Sequence, residues 1–331
     1  MKNQKLLFIV DELEFKWFEF NKLVTNFWFI SEFLKRNIEV WITTKSRLFI
    51  KSAKGCALSY LAKLEVDGEI TYLKDEHEFL IENFDVVFFR PDPPMDVDYI
   101  NACSVFEFVD MSRVKVVNNP LSIKAFNEKM HVNLFPQFVP ENIVTNSKRL
   151  ILQFVSKHKK AVIKPLNRCF GSGVFVLQNG DANLSSIIAT ATDNGKTFVM
   201  VQEYLQGALN GDKRVLLIGG EVMDECVRKL PAENDFKFAE HSDKYFEKSS
   251  LSKEEKYVAK IIAQKLNEMD LPLVGLDMID GKVIEINVTS PCYFIKEINS
   301  LWNTSFEDKI MPLILSLCNL NDETLLNLNK V

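Results

Sequence analysis

Residues 273–291 read LVGLDMIDGKVIEINVTSP, and this stretch constrains the chain more than any other. Two apolar runs of strand length flank Asp280-Gly281, a dipeptide that favours a tight hairpin turn. Asp277 lies at the end of the first run, and Glu285 and Asn287 lie in the second. Residues i and i+2 of a strand point to one face, so Glu285 and Asn287 project together, and the turn folds Asp277 back beside them. Three hard oxygen donors on one sheet surface suit Mg²⁺, which takes a few protein oxygens and completes its shell with phosphate or water. An exposed polar face on an amphipathic hairpin would carry the same letters, so the spacing alone leaves both readings open.

Upstream, strand-like and helix-like segments alternate. KLLFIVD from Lys5 is a continuous apolar run ending at an acid, and TNFWFISEFLK over Thr25–Lys35 has apolar residues at helical spacing, with Thr25 or Asn26 as its cap. NIEVWITT from Asn37, DVVFFRPDPP from Asp85 and VKVVNNP from Val114 read as further strands. Strand, helix, strand at this spacing predicts an α/β domain with a parallel sheet. From about Ile123 the texture changes. A helix is expected through Phe126, Asn127, Glu128 and Lys129. A helix over residues 147–158, the hairpin AVIKPLNRCFGSGVFVL, a helix near residues 183–194 and the strand TFVMVQEYL then follow. KRVLLIGGEVMDECVRKL predicts a hairpin turning at Gly219-Gly220, and a polar charged stretch follows over residues 231–250. Next comes a helix over residues 252–269 opening with a capping-box-like Ser252-Lys253-Glu254-Glu255, and a final helix spans about residues 306–318.

Several other groups carry chemical potential. Lys164 closes an apolar strand before a proline and a glycine-containing turn, where an ammonium and backbone N–H groups can meet phosphates. Lys129 adds a second cation. Each lysine taken alone also fits a solvated surface position. In VMVQEYL, Val201, Tyr204 and Leu205 could wall an adenine and Glu203 could offer it a partner, although the run is equally an ordinary core strand. Arg214 in Gly211-Asp212-Lys213-Arg214, and Arg90 in FFRPDPP, are suited to carboxylate or phosphate recognition.

The overall composition excludes several classes. With a net charge of −5 the chain lacks the basic excess of a protein that coats nucleic acid. The cysteines at 56, 103, 169, 226, 292 and 318 lie no closer than 26 residues apart, so there is no CxxC metal or redox motif, and reduced thiols are expected. The N-terminal apolar run is too short for a secretory signal, and no apolar stretch reaches membrane-spanning length, which predicts a soluble cytoplasmic protein.

Taken together, NxxSIKAFNEKM, VIKPL, the glycine turn, VQEYL, GDKRVLL, GLD and EINVTSP resemble the ATP-grasp ligases in order and spacing. FRPDPPMD, VNNPLSIKAFNEK and DGKVIEINVTSP narrow the resemblance to prokaryotic glutathione synthetases, over about residues 6–318. The resemblance implies α/β and α+β architecture, a pre-ATP-grasp parallel-sheet domain followed by an ATP-grasp fold. The implied division is a pre-ATP-grasp domain over residues 1–122, a small lid subdomain over 123–204, a C-terminal subdomain over 205–320 and a tail over 321–331. It implies ATP as co-substrate with Mg²⁺, or alternatively Mn²⁺. It further implies γ-glutamylcysteine and glycine as substrates, a homo-oligomer, and no nucleic-acid or membrane partner. Carried onto this sequence, the resemblance assigns Lys129, Lys164, Gly171, Ser172, Gln202, Glu203, Tyr204, Leu205 and Asp212 to ATP. It assigns Arg90, Arg214 and Ser290 to the peptide substrate, and Arg214, Lys229 and the adjacent Arg228 to catalysis. Asp277, Glu285 and Asn287 become the metal ligands.

The chain departs from that family in three places. The mobile loop reads LPAENDFKFAEHSDKYFEKSS, without the usual glycines, with Lys229 where arginine is usual, Lys237 where another arginine is expected and Ala239 where asparagine is usual. The phosphate turn becomes Asn167-Arg168-Cys169-Phe170-Gly171. On the acceptor side, EFKWFEFNKLVTNF replaces a short polar stretch, and Cys292-Tyr293-Phe294-Ile295-Lys296 follows TSP. A ligase for another acid and amine, or a nucleotide-binding paralogue without ligase activity, are the alternatives these changes raise.

Overall fold

The computed structural model describes residues 4–12, 24–168, 171–232 and 243–320. Three sheets organise them. The first contains β1 (Lys5–Val10), β2 (Glu39–Thr44), β3 (Leu48–Lys51), β4 (Lys54–Leu64), β5 (Ile70–Tyr72), β6 (His77–Leu80), β7 (Val86–Phe89) and β8 (Lys115–Val117). Its order is β3-β4-β2-β1-β7-β8, with β5 and β6 also on β4. The strands β2, β1, β7 and β8 run parallel, as the alternation predicts. Residues 48–80 were not read from the sequence, and they add an antiparallel extension to that sheet. Leu6 to Val10 are all fully buried, because a central parallel strand is covered on both faces. One of those faces is aromatic: Phe8 stacks on Phe88 at 4.5 Å, and Phe33 of helix α1 (Thr25–Lys35) packs on both. Burying each such ring contributes roughly 1.5–3 kcal/mol. The cap of α1 differs from expectation: Val24 precedes the helix without a side-chain cap, and Thr25 instead accepts from the Tyr293 N–H.

Helices α2 (Val97–Ser104) and α3 (Pro120–Ala125) complete this region. The helix expected through residues 126–129 does not form. Phe126 ends α3, and Lys129 stands at the head of a short 3-10 turn over Met130–Leu134. Asn127 explains the break, since its Oδ1 accepts from the N–H groups of Lys129 and Met130, an alternative that competes with helix continuation.

The second sheet is antiparallel, in the order β11-β10-β12-β9, formed by β9 (Asn142–Thr145), β10 (Lys160–Pro165), β11 (Phe175–Gln178) and β12 (Val199–Glu203). Helices α4 (Lys148–His158) and α5 (Leu184–Ala191) pack on one face around Ile151, Val155, Ile163 and Ile188. The other face carries Val162, Lys164 and Gln202.

The third sheet runs β16-β15-β13-β17-β18, with β14 on β13, from β13 (Asp212–Ile218), β14 (Glu221–Val222), β15 (Cys226–Lys229), β16 (Phe246–Ser249), β17 (Leu273–Ile279) and β18 (Lys282–Asn287). The strand β16 lies within the stretch read only as polar and charged. Helix α6 (Lys253–Glu268) begins with a full capping box between Ser252 and Glu255, as expected. Helix α7 (Ile295–Trp302) went unread, and α8 (Phe306–Leu317) follows it. Among the described residues no helix is long and apolar enough to cross a membrane. The described cysteines are all free thiols, and Cys169 lies outside the described residues.

Candidate active site

The second and third sheets face each other across a cleft of about 900 Å³, counting its open mouth. From the second sheet, Val162 and Lys164 reach in from β10 and Gln202 from β12, where it stands in register with Val162. From the third, Asp212, Lys229, Asp277, Ile284 and Glu285 reach in from four strands. Asp277 stands opposite Glu285 and Gly275 opposite Asn287, so the turn brings Asp277 beside the two residues as expected. The register slips between Asp277 and Met278, which leaves Ile284 as an extra residue. This bulge lets the consecutive residues Ile284 and Glu285 both line the cleft, which a regular strand forbids.

Lys164 is nearly buried. Its Nζ donates to Gln202 Oε1 at 2.9 Å and to the Ile284 carbonyl at 3.4 Å. Burial pushes its ammonium below the usual lysine range, and Lys129 adds to that effect against the nearby carboxylates. Such a desolvated cation gains from a multiply charged anion. Gln202 is buried, and its Nε2 meets no acceptor among the described residues. A buried donor of this kind stabilises a ligand that offers it a lone pair. Lys129 donates to Glu285 Oε1 at 2.9 Å and to the Arg168 carbonyl at 2.7 Å, so it bridges the β17–β18 hairpin and the turn that follows β10.

Beside these lies a buried network of charges. Lys229 Nζ sits 2.7 Å from Asp212 Oδ2 and 2.9 Å from Asp277 Oδ1. Arg214 meets Asp277 through Nε at 2.8 Å and Nη2 at 3.2 Å, and donates from Nη1 to the Cys292 carbonyl at 2.9 Å. Burial alone would push Asp277 up, but Arg214 and Lys229 hold it well below the usual carboxylate range. Burial raises Asp212, against the charge of Lys229. Two glycines make this packing possible. A Cβ on Gly275 would sit 3.1 Å from Arg214 Cδ, and one on Gly211, at φ +83°, would sit 2.0 Å from the Lys229 carbonyl.

The sequence candidates divide under this geometry. Lys129, Lys164, Gly171, Gln202, Glu203, Leu205, Asp212, Lys229, Asp277 and Glu285 line one cleft. Tyr204 does not: Lys160 sits 3.6 Å over its ring. Ser172 is not among the lining residues either. Arg228 leaves the opposite face of β15 from Lys229 and reaches the Asn210 carbonyl, so of the two adjacent cations only Lys229 joins the network. Arg90 and Ser290 form a separate cluster. Arg90 is buried, donates to Asn26 Oδ1 and to the Pro291 carbonyl, and lies 5.6 Å over Phe29. Ser290 hydrogen-bonds Asp92, whose carboxyl is pushed up to about 6 by burial, with the Asp11 charge adding to it. The FRPDPP motif by itself gives Asp92 no role, because its partial enclosure beside Asp11 and Ser290 arises only on folding. The divergent segments around residues 13–23, 169–170 and 233–242, including Lys237 and Ala239, lie outside the described residues.

Among the described residues no three or more His, Cys, Asp or Glu side chains gather to hold a metal by themselves. The donors present fit a cation that draws its other ligands from phosphate. Glu285 faces the cleft, and Asn287 spends its amide N–H groups on Gly275 O and Asp277, leaving its carbonyl oxygen as an acceptor. The oxygens of Asp277 already accept from Arg214 twice, Lys229 and Asn287.

The family profile for the prokaryotic glutathione synthetase N-terminal domain matches residues 5–124, and that for the prokaryotic glutathione synthetase ATP-grasp domain matches residues 128–303. A glutathione synthetase of Vibrio cholerae serotype O1 is 33% identical over 291 residues, covering 88% of this chain and 91% of that protein. One from Nostoc sp. is 35% identical over 283 residues, covering 82% and 87%. Among solved structures, the ATP-grasp ligase PsnB complexed with minimal precursor, Mg and ADP superposes with a TM-score of 0.59 at 14% identity, over 95% of this chain and 98% of that one. The two-sheet cleft, the facing lysines and acids, and these matches over most of the sequence agree, and the chain belongs to the prokaryotic glutathione synthetase family of ATP-grasp ligases.

Proposed function

We propose that this ATP-dependent carboxylate–amine ligase is a glutathione synthase that joins γ-glutamylcysteine to glycine in the cleft between its second and third sheets. The observation that carries this reading is the desolvated Lys164 ammonium facing Glu285 and Lys129 across that cleft. In the proposed reaction, the cysteinyl carboxylate attacks the γ-phosphorus of ATP. The bond to ADP breaks and an acyl phosphate forms. The glycine amine then attacks the acyl carbon, loses a proton, and phosphate leaves with the acyl–oxygen electron pair.

The residues contribute mainly position and charge. Lys129 and Lys164 are assigned to the phosphates. Gln202 Nε2, Glu203 and Leu205 are assigned to adenine, with Val162, Val174 and Ile279 as apolar walls. Glu285 and the Asn287 carbonyl oxygen would hold Mg²⁺, which would supply charge neutralisation at the phosphates, while Asp277, its oxygens already engaged, orients the Asn287 amide. Arg214 is assigned to the oxyanion that forms at the acyl carbon, with Lys229 as the neighbouring cation. Arg90 and Ser290 are assigned to the peptide substrate. The domain division at residues 122 and 204 belongs to the same proposal. So do the homo-oligomeric state and the cytoplasmic location, and light scattering tests the oligomeric state.

A phosphate-release assay tests the reading. Release with ATP and Mg²⁺ should require both γ-glutamylcysteine and glycine. A second reading, a ligase for another acid and amine, draws support from Phe294, which sits at φ +49° and lies 5.3 Å over Arg214 on the acceptor side. Release with other pairs but not with this one would establish it. Nucleotide binding without turnover on any pair would point to a degenerate paralogue.

A further inference from the structure

The reaction scheme gives no task to Glu128. Its Oε1 nevertheless accepts three hydrogen bonds from the segment that leaves β18: the Val288 N–H at 2.8 Å, the Thr289 N–H at 3.0 Å and the Thr289 hydroxyl at 3.0 Å. Its backbone carbonyl accepts the Ile286 N–H at 3.0 Å. Asn118 holds the same segment from another direction, donating to the Val288 carbonyl at 2.6 Å and the Leu273 carbonyl at 2.7 Å. Both polar backbone groups of Val288 therefore end on side chains from far earlier in the chain.

The held segment joins two edges of the site. Immediately before it stand Glu285 and Asn287. Immediately after it, Ser290 bonds Asp92, the Pro291 carbonyl receives Arg90 and the Cys292 carbonyl receives Arg214. The neighbours of Glu128 are anchored too: Lys129 on Glu285 and on the Arg168 carbonyl, and Asn127 Nδ2 on the Leu166 carbonyl at 3.2 Å. Three donors on one carboxylate oxygen make charge-assisted bonds, and deleting the acceptor strands two backbone N–H groups.

We infer that Glu128 is a positioning residue. It fixes the turn at Val288 and Thr289, so that the metal-facing pair Glu285 and Asn287 and the acceptor-side carbonyls of Pro291 and Cys292 keep one geometry. The inference rests on the proposed metal role of Glu285 and Asn287. It gives Glu128 no contact with substrate.

The test measures binding of a non-hydrolysable ATP analogue by calorimetry, with and without Mn²⁺, in full-length wild type, Glu128→Ala, Glu128→Gln, Thr289→Val and the Glu128→Ala/Thr289→Val double variant. Steady-state kinetics run beside it. Glu128→Ala should weaken Mn²⁺-loaded binding about 10–100-fold, as loss of an outer support does, while metal-free binding changes little. Glu128→Gln keeps a carbonyl acceptor and should stay within about threefold of wild type. Thr289→Val should fall between them, and the double variant should be no worse than Glu128→Ala alone. Equal loss with and without Mn²⁺, wild-type binding in Glu128→Ala, or wild-type failure to bind the metal-loaded analogue would each overturn the inference. If Glu128→Ala does not fold, unchanged Mn²⁺-loaded binding in Thr289→Val overturns it, and a metal-specific loss supports it. Wild type that binds the loaded analogue but releases no phosphate from ATP with γ-glutamylcysteine and glycine removes the substrate reading and leaves the binding comparison standing.

Discussion

Arg214 and Asp277 stand directly opposite each other on β13 and β17, and their side chains close a two-bonded pair, Nε to Oδ1 at 2.8 Å and Nη2 to Oδ2 at 3.2 Å. Both are nearly buried, so the pair is shielded from solvent. Removing one member of a buried pair costs far more than the pair contributes, because the survivor is left desolvated.

Asp277→Ala should therefore destabilise the protein by about 3–5 kcal/mol, since two buried cations, Arg214 and Lys229, lose their partner. The sign with pH follows from the lowered carboxylate. Its stabilising contribution is present above the unfolded value near 4 and is lost as pH falls toward the depressed folded value. Urea melts of wild type and variant should converge in acid. A constant gap down to about pH 2 would refute the assignment.

Lys229 and Arg228 are chemically similar neighbours with opposite outcomes. Lys229→Met leaves Asp212 and Asp277 short of a cation, and should cost about 3–5 kcal/mol together with most of the activity. Arg228→Ala removes an exposed contact to the Asn210 carbonyl and should change stability by no more than about 0.5 kcal/mol. Thermal melts and phosphate release on the two proteins decide it; equal effects would contradict the geometry.

Glu285→Ala should lower Mg²⁺-dependent turnover by about a thousandfold while the fold persists, because Lys129 keeps its bond to the Arg168 carbonyl. Circular dichroism and phosphate release are the two readouts. Wild-type rates would remove Glu285 from the metal site.

Lys164→Met should raise KM for ATP about 10–100-fold, the loss expected when a charged group's hydrogen bonds to phosphate are deleted. The peptide substrate is assigned to Arg90, Arg214 and Ser290, away from Lys164, so KM for the peptide should hold. A parallel rise in both constants would argue for a general structural defect.

Asp92 titrates at about 6 in the folded protein, mainly through burial. Between about 4 and 6 the folded state binds more protons at this site than the unfolded chain, so stability falls as pH rises through that window. Asp92→Asn should thus gain on wild type by roughly 1–3 kcal/mol above pH 6, and the gap should shrink near pH 4. Melting curves across that range test it, and an unchanging difference would count against a raised carboxyl.

Local patterning made much of this protein legible. The Asp280-Gly281 turn signal was enough to bring Asp277 back beside Glu285, but the bulge at Ile284 that sets the two directly opposite belongs to the folded sheet. Apolar runs located the parallel strands, and Ser252 with Glu255 located the start of α6. The ATP-grasp family followed from motifs strung in order. Other features escaped for physical reasons. Residues 48–80 lacked a parallel-sheet rhythm, since edge and antiparallel strands are half-exposed and mix polar with apolar positions. The helix expected through Asn127 failed because its side chain outbid the next turn's carbonyls for two N–H groups.

By itself, then, the sequence determined which residue types were present at strand ends and in what order, because those follow from local periodicity. Only the tertiary structure decided which of two adjacent cations enters the cleft, that Asp277 is saturated by Arg214, Lys229 and Asn287, and that Glu128 accepts the Val288 N–H from 160 residues away. Those outcomes depend on strand face, bulge position and burial, and all three are set by which sheets meet and not by the neighbours of any residue along the chain.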